Sequence, residues 1–151
     1  MKDGFSYEGD GFDKYAQEML DLAQRDLPQE SKKFIRQEGN KLRKKTLELA
    51  KQRVQKGKNH KGDEAKRYHK NIKAGKVYIY KGNDGTSIRV HSSKAPHAHL
   101  IEYGHRVVRG GKEVGFVEGK HVFEDAAKGF EGEFVRDVDD FLDDVFSGVE
   151  K

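Results

Sequence analysis

The segment from residue 28 to residue 55 constrains the fold more than any other part of the chain. Its apolar residues recur at three-, four- and seven-residue steps, the spacing of one face of an α-helix. They are Ile35, Leu42, Leu47, Leu49, Ala50 and Val54. Pro28 suits the first turn of this helix, because a proline there costs no backbone hydrogen bond. At 1.5 Å per residue the helix reaches roughly 40 Å, and its thin stripe leaves one face for water or a partner.

Basic residues cover most of the remaining circumference of this predicted helix. They form a basic face that consists of Lys41, Arg43, Lys44, Lys45, Lys51 and Arg53. Residues 31–76 carry 17 Lys/Arg against 4 Asp/Glu, whereas residues 113–150 carry 3 against 12, so the net charge of +4 hides a strong segregation. Near the end of the chain lies an acidic cluster made of Asp139, Asp140, Asp143 and Asp144.

Three interpretations of this charge pattern are open. The basic face can contact the phosphates of nucleic acid, or it can attract the acidic cluster of another copy of the chain. It can also be a solvated helix face whose acidic partners fold back from the same chain. The second interpretation suits a closed head-to-tail ring, because such a ring needs two different complementary patches on each subunit.

Two further segments flank the long helix. An amphipathic pattern predicts a first helix over residues 12–26, which ends near Leu27-Pro28 because the residue before a proline disfavours helical geometry. Residues 1–11 are predicted to be a flexible N-terminal segment. Residues 57–75 are rich in Gly, Lys and Asn and have no apolar period, which predicts an exposed, mobile loop.

The middle of the chain is rich in β-formers. Runs over 77–81 and 86–91 flank the turn-forming residues 82–85, which predicts a β-hairpin. The alternation of Tyr78, Tyr80 and, farther along, Phe116 is typical of core residues. We therefore expect these three aromatic side chains to be buried.

The last third of the chain completes the layout. Residues 96–103 predict a short helix with Gly104 as its terminator, and residues 105–123 predict a second strand pair around Gly110-Gly111. An acidic amphipathic helix follows over 123–146. The order ααββαββα, with two N-terminal helices and a small antiparallel sheet, predicts one α+β domain over residues 1–151.

Motifs for catalysis are few. The chain has no cysteine, which excludes disulfides and cysteine-bound zinc, and it has neither an HExxH nor a GxxxxGK[ST] pattern. The strongest candidate metal or catalytic group is the set His97, His99, Glu102 and His105. Because no second carboxylate or cysteine completes that set, we expect Glu102 to pair with Arg106 or Arg109 and expect no enzyme. No apolar segment suits export or a membrane, so we expect a soluble protein made in the cytoplasm.

The segment H-A-H-L-I-E-Y-G at 97–104 carries a resemblance. It is followed by His105-Arg106, by Gly110, by V-G-F-V at 114–117 and by F-x-x-A-A at 123–127. This pattern resembles the minor tail component and head-tail joining (neck) protein family of tailed bacteriophages and prophages. With the long basic helix before it, the resemblance spans roughly residues 12–146.

The resemblance implies a structural virion protein of the neck or tail-completion region, with no cofactor and no active site. It implies assembly as a ring of six copies between the head-closing proteins and the tail tube or its terminator, with DNA passing through the channel. It places the protein in the virion, and in the host cytoplasm during assembly, without membrane contact. The motif residues assigned to folding and interfaces are His97, His99, Glu102, Tyr103, Gly104 and Arg106.

Two other functions are open. A free-standing nucleic-acid-binding protein is suggested by the isoelectric point near 9.1, although aromatic residues placed in a core would not be available to stack on bases. A metal-dependent hydrolase or nuclease would use His97, His99, Glu102 and His105, whose spacing matches no known metal motif.

Overall fold

Two long helices dominate the structure, a computed structural model that describes residues 10–55, 64–82, 84–95 and 97–148. The helices are α1 (Asp10–Asp21), α2 (Leu27–Arg53), α3 (Glu64–Lys70), α4 (Ala98–Tyr103) and α5 (Val122–Ser147), with a π-helical turn at Leu22–Asp26. The strands are β1 (Lys73–Ala74), β2 (Tyr78–Tyr80), β3 (Gly85–Ser87), β4 (Val90–His91), β5 (Gly104–Arg109) and β6 (Lys112–Glu118). The predicted α+β class is confirmed.

The N-terminal helices run on without a break. Asp26 and Leu27 both have right-handed helical dihedral angles, and the Leu27 N–H donates to the carbonyl of Leu22, five residues earlier. A wide π turn of this kind absorbs an irregularity in the hydrogen-bond ladder, and Pro28 has no N–H to contribute to that ladder. The predicted helix end at Leu27-Pro28 is therefore wrong, because the π turn carries the chain past the proline.

The predicted flexible N-terminal segment is shortened. Helix α1 begins at Asp10, so the last two residues of the segment 1–11 are helical. Residues 1–9 lie outside the described part of the chain.

Helices α2 and α5 pack side by side through aromatic rings. The ring centroid of Phe34 lies 4.6 Å from that of Phe141 and 6.3 Å from that of Phe134. Contacts made later in α2 fall earlier in α5, from Phe34 with Phe141 to Arg53 with Asp125. The two helices are therefore antiparallel.

The predicted mobile loop over 57–75 is wrong for its second half. Residues 64–70 form α3, and Tyr68 and Ile72 have relative exposures of only 1% and 0%. They pack in a core with Ala50, Ala95 and Val122. The two apolar residues stand four apart among Lys and Arg, so their contribution to the core outweighs the polar composition. The first part of the predicted loop, through residue 63, lies outside the described ranges.

The strands form three separate antiparallel pairs, β1 with β4, β2 with β3 and β5 with β6. The predicted hairpin is confirmed as the β2–β3 pair, although Asn83 of its turn is not among the described residues. The predicted second strand is divided, since residues 88–89 separate β3 from β4. Ile88 lies against α2, where a Cβ atom built on Gly39 would be 2.7 Å from its side chain. Glycine inside α2 thus permits the close approach of the β-region.

The prediction of a buried aromatic set is wrong. Tyr78, Tyr80 and Phe116 are 39%, 51% and 53% exposed. Each lies in a two-stranded pair, and such a pair has no second layer to cover its side chains unless another element packs on it. The alternation identified the strands correctly, but it did not identify a covered face.

The last third follows the prediction closely. Helix α4 ends at Gly104, which has a φ of +81°, and β5 and β6 meet at Gly110-Gly111. Helix α5 contains Gly129 and Gly132 without interruption. Pro96, the predicted start of α4, is outside the described residues.

Replacing Ile72 by alanine tests the position of α3 and β1 against α2. We expect Ile72→Ala to lower the free energy of unfolding by about 2–5 kcal/mol, because it removes a fully buried side chain. The control is Ile79→Ala, at a position 52% exposed, which should cost less than about 1 kcal/mol. Urea unfolding followed by circular dichroism measures both, and equal losses would contradict the described core.

Candidate functional site

The segment that carries the family resemblance is a junction between three elements. It contains all of α4, and it leads through Gly104 directly into β5. A Cβ atom on Gly104 would lie 2.3 Å from the carbonyl oxygen of Val117, and one on Gly119 would lie 2.3 Å from the carbonyl oxygen of Glu102. Two glycines therefore let the base of the β5–β6 hairpin touch the end of α4. The Lys120 N–H donates to the carbonyl of Ile101 at 2.7 Å and fixes this junction.

Glu102 connects α4 to the start of α5. Its side chain is 6% exposed, and its carboxylate accepts hydrogen bonds from the backbone N–H groups of Phe123 at 3.1 Å and Glu124 at 3.0 Å. The first N–H groups of a helix have no partner within the helix, and the helix dipole favours a negative charge there. Glu102 thus supplies the cap of α5.

This arrangement corrects the expected ion pairs of Glu102. Arg106 lies 3.6 Å from Glu113 on the neighbouring strand instead, and Arg109 lies at the far end of β5. The carboxylate of Glu102 points toward the helix rather than along the hairpin. A glutamate in this motif can therefore be explained by capping alone.

The histidines of the motif do not converge. His97, His99 and His105 are all exposed, and His97 immediately precedes α4. Among the described residues, no group of three or more His, Asp or Glu side chains has an arrangement that could hold a metal ion. Tyr103 is 71% exposed, so it serves no packing role within the chain.

A cavity of about 920 Å³ lies beside this junction, between the end of α2, α3, α4 and β6. Tyr68, Ile101 and Val117 form part of its apolar wall, and His97 and His105 are at its rim. Burial raises the pKa of the Tyr68 hydroxyl above its ordinary range, and the charge of Glu102 adds to the effect. The described lining contains one carboxylate, that of Glu118, so it shows no pair of acids for hydrolysis.

Four of the six residues of the predicted basic face are engaged within the chain. Lys41 lies 2.7 Å from Asp137, Lys45 lies 2.6 Å from Glu133, and Arg53 lies 2.5 Å from Asp125, all between α2 and α5. Arg43 donates to the carbonyl of Ile72 at 3.0 Å. For Lys41, Lys45 and Arg53 the fold-back interpretation holds, because their acidic partners lie on α5 of the same chain.

The remaining charges are free of such partners. Lys44 and Lys51 are exposed and stand seven residues apart, hence on one side of α2. Within the described ranges neither makes an ion pair, and the same is true of the acidic cluster. The predicted basic face is therefore divided into a folding part and a free part.

One carboxylate at the α2–α5 interface is buried. It belongs to Glu38, which is 4% exposed and lies 3.0 Å from Lys41. Desolvation raises the pKa of Glu38 above its ordinary value, whereas the hydrogen bond from Lys41 lowers the pKa of Asp137. Lys41 itself has a raised pKa because Asp137 and Glu38 both accept hydrogen bonds from it.

Two surfaces in the second half of the chain expose large apolar side chains. The β5–β6 hairpin presents Val108, Val114 and Phe116, which are 60%, 57% and 53% exposed. The outer face of α5, defined as Val135, Leu142 and Phe146 with the acidic cluster beside them, has exposures of 53%, 37% and 46% at its apolar residues. The strand pattern and helix period were both visible in the sequence, but which face remains uncovered was not.

Comparisons with protein-family models, with curated proteins and with solved structures found no match to this chain.

Removal of the Glu102 carboxylate should destabilise the fold. We expect Glu102→Ala to lower the free energy of unfolding by about 1–3 kcal/mol, because buried N–H groups of α5 lose their acceptor. Glu118→Ala, at an exposed carboxylate at the base of the same hairpin, should change it by less than about 0.5 kcal/mol. Chemical denaturation measures both variants, and an unchanged stability of Glu102→Ala would remove the capping role.

The Lys41–Asp137 pair should contribute to the acid sensitivity of the fold. Because the pKa of Asp137 is lowered from its ordinary 3.8, its contribution to stability is present above that value and is lost as the pH falls through the lower folded value. Asp137→Asn should therefore be less stable than the wild type at pH 7, and the difference should shrink below pH 3.8. Asp139→Asn is the control and should show no such trend. Unfolding curves at several pH values measure the two differences, and parallel behaviour of the variants would contradict this assignment.

Proposed function

We propose that this chain is a structural subunit of the head-tail connection of a tailed bacteriophage, where copies of it form a ring. The observation that carries the proposal is the amount of large apolar surface left uncovered on the β5–β6 hairpin and on the outer face of α5. Contiguous exposed apolar patches bordered by polar groups are typical of surfaces that bind other proteins. A subunit that works by assembly needs such surfaces.

The motif at 97–104 supports the same proposal. Glu102 and Gly104 hold the start of α5 and the base of the hairpin in fixed positions, which is a structural task. Tyr103, 71% exposed beside them, is available for a contact with another molecule. The proposed partners are other copies of the chain, in a ring of six, the adjacent neck proteins, and the tail tube or its terminator.

The proposed location is the neck of the virion, with assembly in the host cytoplasm. No helix in the described part of the chain is long and apolar enough to cross a membrane. In the proposed ring, Lys44 and Lys51, on one side of α2, face a neighbouring subunit or DNA in the channel. Contacts with DNA would be made to phosphates and carry no sequence information.

The free lysines of α2 also favour a second candidate function, independent nucleic-acid binding. This second function is tested by the affinity of the free protein for duplex DNA. A protein that functions by binding DNA retains that affinity near physiological salt. Lys44→Glu with Lys51→Glu should weaken the affinity and reduce the slope with which it falls as salt is added. Lys81→Glu with Lys94→Glu is the control, because both lysines are exposed, lie outside α2 and give the same change of charge.

A deletion in the phage or prophage that encodes the chain tests the proposed function. We expect the deletion to yield filled heads and separate tails, and a plasmid copy of the gene to restore joined particles. Antibody labelling of intact particles, observed by electron microscopy, should mark the head-tail junction. Normal particles without the protein, or tight DNA binding by the free protein with no association with particles, would overturn the proposal.

A further inference from the structure

No other element of the described residues covers strand β6 of the β5–β6 hairpin. The element outside the hairpin that it chiefly contacts is α4, at its base, and every residue of β6 is exposed. A lone two-stranded hairpin is marginally stable in water, and this one carries exposed Val108, Val114 and Phe116. These apolar side chains become buried when the hairpin packs against another surface.

The tip of the hairpin is basic and has a defined shape. Gly110 and Gly111 have φ values of +57° and +76°, which suit a tight two-residue turn between antiparallel strands. Arg109 and Lys112 flank this turn. Farther down, Arg106 is paired with Glu113, so the uncompensated positive charge is at the tip.

The outer face of α5 has the opposite charge and a matching apolar component. Val135, Leu142 and Phe146 are separated by seven and four residues, which places them along one side of the helix. Asp139 and Asp143 stand beside them, and within the described ranges neither has an ion pair. Helix α5 packs on α2 through Phe134 and Phe141, and among the described residues the apolar side chains of the outer face stay exposed.

We propose that the β5–β6 hairpin of one copy docks on the outer face of α5 of the next copy. Apolar residues would meet apolar residues, and Arg109 and Lys112 would meet Asp139 and Asp143. The dimensions agree, since a six-residue strand spans roughly 20 Å and the helix from Val135 to Phe146 spans roughly 16 Å. This inference rests on the proposed function, because it names the contact that would build the ring.

The position of the two surfaces favours a closed ring over a two-fold dimer. The hairpin starts beside the first turn of α5, where His121 donates to the carbonyl of Glu102, whereas the acidic cluster lies near the other end of a helix roughly 36 Å long. Two different patches at opposite ends of one element give a head-to-tail contact, which closes when the rotation between copies permits it.

Cysteine cross-linking tests the contact directly, because the natural chain contains no cysteine. The full-length Val108→Cys/Leu142→Cys variant should form, under mild oxidation, a ladder of disulfide-linked species that ends at the ring. Each single variant can give at most a dimer. Lys81→Cys/Leu142→Cys is the matched control, since Lys81 is exposed in the other hairpin, and it should give no ladder.

Charge reversal identifies the partners. Arg109→Glu/Lys112→Glu and Asp139→Lys/Asp143→Lys should each reduce the cross-linked yield about tenfold, because attraction becomes repulsion at two contacts. When the first variant carries Val108→Cys and the second carries Leu142→Cys, mixing them should restore the cross-link, because the reversed hairpin then meets the reversed face of α5. Circular dichroism confirms that the variants are folded.

A ladder that is sensitive to reversal and restored by mixing supports the inference, even if the protein is later found outside phage particles. A control pair that cross-links equally well, reversals without effect, or no product beyond dimers at high protein concentration would overturn it. Binding of the hairpin tip to duplex DNA, with a ladder absent, would assign the tip to phosphate contact instead. The particle-labelling experiment stays independent of all these results.

Discussion

The antiparallel packing of α2 against α5 is the interaction on which the other elements depend. One side of α2 meets α5 through stacked phenylalanine rings and ion pairs, and the other side carries α3 and strands β1, β3 and β4. Because α2 is shared, the thin apolar stripe seen in its sequence is sufficient. The charged residues next to the stripe do not all face water, since three of them meet carboxylates of α5.

The sequence was a good guide to elements with a strong local signal. The hairpin at Tyr78–Ser87, the glycine-terminated α4 and the long acidic helix all follow from periodicity and turn residues. The wrong predictions concern residues whose structure depends on contacts with parts of the chain that are distant in sequence. Tyr68 and Ile72 lie in a polar segment, and only Ala50, Ala95 and Val122 from elsewhere in the chain make them core residues. The helix did not end before Pro28, because a π turn accommodates the missing donor.

The candidate site also combines features that were visible in the sequence with features that depend on the folded structure. The charge segregation was evident in the sequence, but which lysines pair within the chain depends on the register of two helices far apart in sequence. Lys45 meets Glu133, whereas Lys44, one residue earlier, points away. Glu102 was expected to pair with an arginine, but its partners are backbone N–H groups, which carry no sequence signature. A charge reversal at Lys45 therefore breaks an ion pair within the chain, and Lys44 and Lys51 are the cleaner positions for testing contacts with other molecules.

The two glycines at the base of the β5–β6 hairpin help to set the direction in which the hairpin points, whereas its exposed side chains would determine what it binds. Gly104 and Gly119 lie close to the main chain of Val117 and Glu102, so the direction in which the hairpin points is set mainly by backbone contacts at its base. Residues nearer the tip, from Val107 to Gly115, are then free to change while the hairpin keeps this direction. If the proposed ring contact is correct, a lineage can thus alter which surface the hairpin accepts, and keep incompatible relatives out of the ring, while the rest of the chain stays unchanged.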